Sequence, residues 1–179
     1  MCSSDLEFDP LGDVAIQMLE PSQLRFVRLG GVAADTGGKV YVSDAVRDVV
    51  YSFDPALVAS SGGIVGGFSV VAGTGKPGAT GDGGSADHAK LNGPTGLAVD
   101  RSGDLYIADT GNNRVRRVDA KTGVITTVAG LGVRGGRGDG GPASAAALND
   151  PTGVWVDRFG VLYIADTGNK RIRVVTPAT

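Results

Sequence analysis

The sequence contains a single cysteine, Cys2, so neither an internal disulfide framework nor a cysteine-built metal cluster can form within it. It contains a single histidine, His88, which puts a Ser-His-Asp triad or a multi-histidine metal site out of reach unless partners come from elsewhere. No apolar run approaches the length needed to cross a bilayer. Charge is scarce as well. A net charge of −2 gives no general attraction to phosphate backbones or anionic lipid. The start, MCSSDL, lacks the basic-then-apolar pattern of a signal peptide and reads like the translation of an adapter tail. Residues 1–6 are therefore expected to be foreign and the native N-terminus to be missing, so the missing signal carries no information about compartment.

Glycine, by contrast, is abundant: 30 of 179 residues, with 41% of the chain hydrophobic. The glycines fall at fixed places in a repeat, which argues for many turns rather than disorder. Gly93 to Val118, GPTGLAVDRSGDLYIADTGNNRVRRV, returns as Asp150 to Val175, DPTGVWVDRFGVLYIADTGNKRIRVV. A worn copy runs from Gly30 to Val50. Asp109 and Asp166 are 57 apart, as are Asp100 and Asp157; Asp44 and Asp109 are 65 apart, as are Asp35 and Asp100. The excess of 8 is expected as an insertion within Tyr51–Gly63. A repeat of this size predicts an array in which each unit buries its apolar faces against its neighbours.

Within the clearest unit, Gly96–Val99, Leu105–Ala108, Arg114–Val118 and Val124–Ala129 read as strands. Turns rich in Asp, Asn and Gly separate them. Glycine-rich links, Gly73–Asn92 and Gly130–Asn149, join one unit to the next, and Ala143–Leu148 could hold one helical turn. The third unit ends after its third strand. Strand interiors such as Leu-Tyr-Ile-Ala are almost continuously apolar, as in sheets covered on both faces. The predicted fold is all-β: a partial β-propeller of about three four-stranded antiparallel blades, the last incomplete. The blades fall at about 29–73, 93–130 and 150–179, after a non-repeat segment at 1–28. In that segment Val14–Leu19 and Leu24–Leu29, divided by Pro21, could be edge strands of a preceding unit, or the first a short helix.

The pattern G-[LV]-x-V-D-x-x-G-x-L-Y-I-A-D-T-G-N-x-R-[VI]-R resembles the NHL repeat over roughly residues 30–175, strongly in the second and third units and weakly in the first. The resemblance implies propeller blades, commonly six per ring, and a habit of binding ligands or partners without one fixed activity. Three units do not close such a ring, and a partial ring leaves apolar faces and strand edges open. The chain is therefore expected to be a fragment of a longer protein. The alternative is a homodimer completing a six-bladed ring, with an N-terminal segment supplying the missing outer strand.

Several motifs invite sharper readings. Asp-Thr-Gly at Asp35, Asp109 and Asp166 suggests an aspartic protease dyad. All three sit in turns, however, and the matched pair belongs to adjacent blades, so an Asp that closes a turn and pairs with Arg114 or Arg171 is the better reading. Arg137-Gly138-Asp139 spells an adhesion tripeptide, but its counterpart is Thr80-Gly81-Asp82, so Gly-Asp-Gly-Gly is the repeated element and the arginine incidental. That element lacks both the carboxylates of a calcium loop and the Gly-Lys-Ser/Thr of a phosphate loop, which leaves a structured turn. His88 matches Ala145 and is expected on a surface loop. Arg114, Arg116, Arg117, Arg171 and Arg173 make the third strands basic, yet without interleaved aromatics they argue against nucleic acid.

In a four-strand meander the turn between strands two and three shares a rim with the links. Candidate binding residues there are Asp82, His88, Asn112, Asn113, Arg114, Arg137, Asp139, Asn169, Lys170 and Arg171. The expected function is a non-catalytic module that binds a protein or small ligand on this loop-rich rim, without cofactor or metal. Two alternatives stand beside it: a fragment of a metal-dependent lactonase-like or lyase-like enzyme, or a purely structural repeat of a multidomain surface protein. The family resemblance implies a bacterial, extracytoplasmic or cell-surface setting.

Overall fold

The computed structural model describes residues 28–55 and 68–177. The expectations for residues 1–6, for Val14–Leu19 and for most of Leu24–Leu29 lie outside the described residues. Among the described residues eleven strands form three antiparallel sheets, each a simple meander. Blade 1 comprises β1 (Leu29–Ala34), β2 (Val40–Asp44), β3 (Val49–Phe53) and β4 (Ser69–Ala72). Blade 2 comprises β5 (Pro94–Val99), β6 (Leu105–Asp109), β7 (Arg114–Val118) and β8 (Ile125–Ala129). Blade 3 comprises β9 (Pro151–Val156), β10 (Leu162–Asp166) and β11 (Arg171–Val175). The chain thus forms a partial β-propeller. Tyr51–Phe53 belong to β3, which moves the eight-residue excess beyond Phe53; residues 56–67 are not described.

Local chemistry sets each hairpin. Asp100 Oδ1 accepts the N–H groups of Ser102 (2.8 Å) and Asp104 (3.0 Å), folding the β5–β6 turn around its carboxylate. Asp35 and Asp157 do the same in blades 1 and 3. The Asp-Thr-Gly at Asp35 therefore closes a different turn from the other two. Burial, and next to it the Asp100 carboxylate, push the Tyr106 phenol up to about 12.

The blades face one another across two apolar cores. Val50, Ala72, Leu91, Leu97, Ile107 and Ile125 fill the space between blades 1 and 2. Ala98, Val115, Leu148, Val156, Leu162 and Ile164 fill that between blades 2 and 3. At the hub the inner strands approach closely. A methyl group added at Gly96 would lie 2.6 Å from the Thr152 carbonyl oxygen and 2.7 Å from Gly153 Cα. Hydroxyls stitch both seams of the hub: Ser43 Oγ donates to Thr95 O (2.6 Å) between blades 1 and 2, and Thr95 Oγ1 to Thr152 O (3.0 Å) and Thr110 Oγ1 to Pro151 O (2.7 Å) between blades 2 and 3.

Each link lies along the blade that follows it. Gly83 N–H donates to Ile125 O (2.8 Å), Ile125 N–H to Gly84 O (3.0 Å), and Ser85 bridges Val124, so the first link borders the outer strand of blade 2. The helical turn sought in Ala143–Leu148 is a 3₁₀ turn at Ala143–Ala145, matched by Ala86–His88 in the first link. Burial on both faces holds for β6 but not for blade 3. Trp155 and Ile172 are 60% and 63% exposed, whereas their counterparts Ala98 and Val115 are 7% and 0% exposed against blade 3.

Candidate functional site

The turn between the second and third strands is built around a buried carboxylate. Asp109 is fully buried. Its Oδ1 accepts Asn92 N–H (2.8 Å), its Oδ2 accepts Asn112 Nδ2 (2.8 Å), and Arg116 Nη1 lies 3.4 Å away. Asn112 Nδ2 also donates to Gly78 O (2.6 Å) in the link. Arg116, itself fully buried, donates its Nε to Asp82 Oδ1 (3.0 Å). One carboxylate and one guanidinium thereby fasten turn, link and third strand together. Burial pushes the Asp109 carboxyl up to about 6, against the opposing pull of Asn112, the Asn92 N–H and Arg116.

Blade 3 repeats this network. Asp166 accepts Asn149 N–H (2.7 Å) and Asn169 Nδ2 (2.7 Å), and Arg173 spans from Asp166 (3.5 Å) to Asp139 (2.7 Å). In blade 1 the position of Arg116 is Tyr51 and that of Asn112 is Arg47, and Asp44 Oδ1 instead accepts the N–H groups of Val46 and Arg47, both at 3.1 Å.

The pairing expected between Asp109 and Arg114 is not the one formed. Arg114 opens β7 at the rim, where its guanidinium crosses Gly132 and donates to Leu131 O (3.4 Å); Arg116, two residues on, reaches the carboxylate instead. In blade 3 the expected partner does approach: Arg171 Nε lies 3.6 Å from Asp166 Oδ2, beside Arg173.

The ten candidate residues divide by what they touch. Asn112 and Asn169 hold the links, the latter through Gly135 O (2.7 Å). Asn113 Oδ1 accepts Asp150 N–H (3.0 Å). Asp82 and Asp139 turn back onto Arg116 and Arg173, away from the turn tips, and Asp82 Oδ2 also accepts Thr127 Oγ1 (2.7 Å). Arg114 and Arg171 clasp the second link, Arg171 bonding Gly136 O and approaching Asp139 (3.5 Å). His88 is exposed on the 3₁₀ turn of the first link and bonds Asp87 (2.8 Å). Ser85 and His88 hold the Asp87 carboxyl below its ordinary value. Arg137 and Lys170 are exposed.

Sequence reasoning placed Arg116 and Arg173 among the basic residues but missed their role. The signal was their 57-residue spacing in step with Asp82/Asp139 and Asp109/Asp166. It also missed that the two links differ at the rim. Leu131 and Val133 stand 47% and 56% exposed where the first link has Thr74 and Lys76. Beside them Arg134 Nη2 holds both carboxylate oxygens of Asp150, at 2.9 and 2.8 Å. The turns and the second link make a fixed platform bearing two free aliphatic side chains and several cations. Among the described residues no three His, Cys, Asp or Glu side chains come together.

Human teneurin-4 is 39% identical over 102 residues, covering 50% of this chain and 4% of teneurin-4. NHL repeat-containing protein 2 of Bos taurus is 36% identical over 90 residues, covering 49% of this chain and 12% of that protein. The chain thus spans a small part of the length of the curated relatives it matches. Among solved structures, an auxiliary nutrient binding protein from Bacteroides thetaiotaomicron superposes with a TM-score of 0.63 at 23% identity, over 80% of this chain and 36% of that one. A Bacteroides ovatus protein of the same description gives 0.62 at 23% identity, over 83% of this chain and 37% of its own. The sequence profile of the teneurin NHL domain matches residues 19–136. That match takes in blades 1 and 2, and the chain belongs to the teneurin NHL domain family of NHL-repeat proteins.

Proposed function

We propose that the chain is a non-catalytic sector of a propeller whose loop-rich rim binds a protein partner. The observation that carries this reading is the second link. Side-chain bonds from Asn169, Arg114 and Arg171 hold its backbone in place, yet it turns Leu131 and Val133 outward. Fixing the loop before binding lowers the entropy that association costs, and exposed aliphatics ringed by polar groups are what a protein surface can cover. Arg134, Arg137 and Lys170 around them favour an acidic or mixed partner surface over nucleic acid.

The reading of a metal-dependent enzyme draws no ligand set from the described residues. The ring is proposed to be completed by further blades on the open face of blade 3, where Trp155, Ile172 and Val174 are exposed. A second copy of the chain could supply them.

The test is site-specific photo-cross-linking of the full chain, with a photoreactive residue at Leu131 and, as control, at Lys121 in the opposite β7–β8 turn. Adducts confined to position 131 are expected. Adducts only at position 121, or at neither position, would overturn the rim assignment.

A further inference from the structure

Two near-identical repeats make each link a control for the other. Gly73, Gly75 and Gly78 of the first link match Gly130, Gly132 and Gly135 of the second. Equivalent backbone bonds hold both: Thr74 N–H donates to Ala89 O and Leu131 N–H to Ala146 O, Gly78 N–H to Leu91 O and Gly135 N–H to Leu148 O. The two backbones therefore follow one path, but the side chains they carry differ. Leu131, Val133, Arg134 and Arg137 stand where the first link has Thr74, Lys76, Pro77 and Thr80. All four are exposed, so the differences converge on one surface. Exposure is a property of these places in the repeat: Thr74 and Lys76 are exposed too, with blades 2 and 3 both following them.

Arg134 arrives with a partner of its own. Its Nη2 donates to both oxygens of Asp150, and among the described residues its Nε and Nη1 donate to nothing. Asp150 in turn replaces Gly93, at a place where φ is +47° against +56° for the glycine. Glycine adopts such a backbone freely, whereas a side-chain-bearing residue is strained by it. The Arg134 side chain is 65% exposed and that of Asp150 41%, and an ion pair so exposed adds little to stability. Folding alone thus gives little reason for the exchange of Gly for Asp. What the pair does achieve is to hold one guanidinium steady next to Val133, with donors left for a second acceptor. Around it, Arg137 and Lys170 form no ion pair among the described residues, while Asp139 of the same link is held by Arg173 (2.7 Å). The patch is cationic, and the carboxylates nearest to it are already committed.

We propose that this patch is a carboxylate-reading site for a linear protein segment in which an acidic side chain lies close to aliphatic ones. Leu131 and Val133 cover the aliphatic side chains, and Arg134 donates to the carboxylate in a charge-assisted hydrogen bond. Asp150 is a positioning residue that orients Arg134. The proposal rests on the reading of the rim as a protein-binding surface and names the feature of the partner that this surface selects. Complementary charge chooses the acidic segment, and the two aliphatic side chains favour a protein over a sulfated or phosphorylated polymer, which would leave them uncovered.

The test titrates the isotope-labelled full chain with acetyl-Leu-Gly-Glu-Gly-Leu amide, whose carboxylate has an aliphatic neighbour in either direction, and with the same peptide carrying Gln for Glu. The methyl signals of Leu131 and Val133 and the Nε–H signal of Arg134 should shift saturably with the Glu peptide, and the Gln peptide should bind about tenfold more weakly. Because that change is on the peptide, it cannot alter folding of the protein. Arg134→Gln, on an exposed loop, should bring the two peptides to the same affinity. Asp150→Gly should weaken the Glu peptide several-fold yet leave the urea midpoint close to that of the unaltered chain, a combination that a purely structural role does not give. Equal affinity of the unaltered chain for the two peptides, with the methyl shifts kept, overturns the carboxylate site and leaves the protein-binding reading standing. Shifts centred on other residues, or none with either peptide, also overturn it, and the rim itself is then judged by the cross-linking at Leu131. Loss of binding in Asp150→Gly only in step with lost stability overturns the role given to Asp150.

Discussion

Asp109 and Arg116 meet at 3.4 Å inside blade 2 with neither side chain exposed to solvent. Asp166 and Arg173 repeat the contact in blade 3 at 3.5 Å. Removing one partner of a buried pair costs far more than the pair contributes, because the other charge stays uncompensated. Arg116→Met should therefore destabilise the chain by ~3 kcal/mol near neutral pH. The loss should shrink in mild acid. The native Asp109 carboxyl, at about 6, lies above its ordinary 3.8. Between those values the folded state binds more protons than the unfolded state, so the contribution of Asp109 is greatest below the window and is lost as pH rises through it. Without Arg116 the carboxyl can still take up a proton and become neutral. Urea denaturation of both proteins at about pH 5 and about pH 7.5 checks this. An equal loss at both values would show that Asp109 is not the group responsible.

Gly96 and Gly153 occupy the same position in adjacent blades but differ in what lies beyond them. A methyl group at Gly96 would strike the Thr152 carbonyl oxygen at 2.6 Å and Gly153 Cα at 2.7 Å, while one at Gly153 would meet first the Ala165 Cβ at 3.3 Å. Backbone cannot step aside as a side chain can. Gly96→Ala should cost ~2–3 kcal/mol by forcing the hub strands apart, and Gly153→Ala well under ~1. Thermal denaturation of the two variants under identical conditions measures the difference. Equal midpoints would mean that the inner strands are not in contact.

Ile125 is fully buried where β8 meets the first link, among Ala72, Ala86, Ala89 and Leu91. Ile125→Ala should cost ~3 kcal/mol, since the surrounding alanines cannot collapse onto the cavity. The loss should be local as well as global. Gly83 N–H, which donates to Ile125 O, should exchange with solvent faster than Gly103 N–H, which closes the separate β5–β6 turn on Asp100 O. Hydrogen exchange resolved at those amides is the measurement. Uniform acceleration would indicate that link and strand do not act as a unit.

The fold was legible because one unit is written nearly letter for letter twice. Short, almost continuously apolar runs, Asp at each first turn and Gly at most of the positive-φ positions, such as Gly103 at +87°, fix the meander without any tertiary information. The candidate site was legible only in outline. The Asp-Thr-Gly-Asn turn was placed correctly between strands two and three, but its side chains face inward. Nothing local distinguishes a buried Arg116 from the rim-facing Arg114 two residues earlier; the choice depends on Asp82 and Asp109 approaching from opposite sides. In the sequence Leu131 and Val133 are two unremarked residues of the glycine-rich link Gly130–Asn149. Their exposure follows from the path of that link over Arg114, which no periodicity reports.

Lys170 tests whether the rim is kept for function rather than for folding. It holds φ at +55°, as do Asp48 at +54° and Asn113 at +52° in the equivalent turns. Left-handed backbone costs a side-chain-bearing residue about 1 kcal/mol. Asn113 offsets that cost through its bond to Asp150 N–H, whereas Lys170 is exposed with its side chain in solvent. Lys170→Gly should therefore raise stability, by ~0.5–1 kcal/mol, less the extra chain entropy glycine brings to the unfolded state. Asn113→Gly, which gains the same backbone relief but loses a hydrogen bond, should be neutral or slightly destabilising. Denaturant midpoints of the two variants decide it. A gain for Lys170→Gly would mark the lysine as a residue the fold does not require, at the edge of the proposed binding platform; a loss would assign it to the turn itself and withdraw it from the rim.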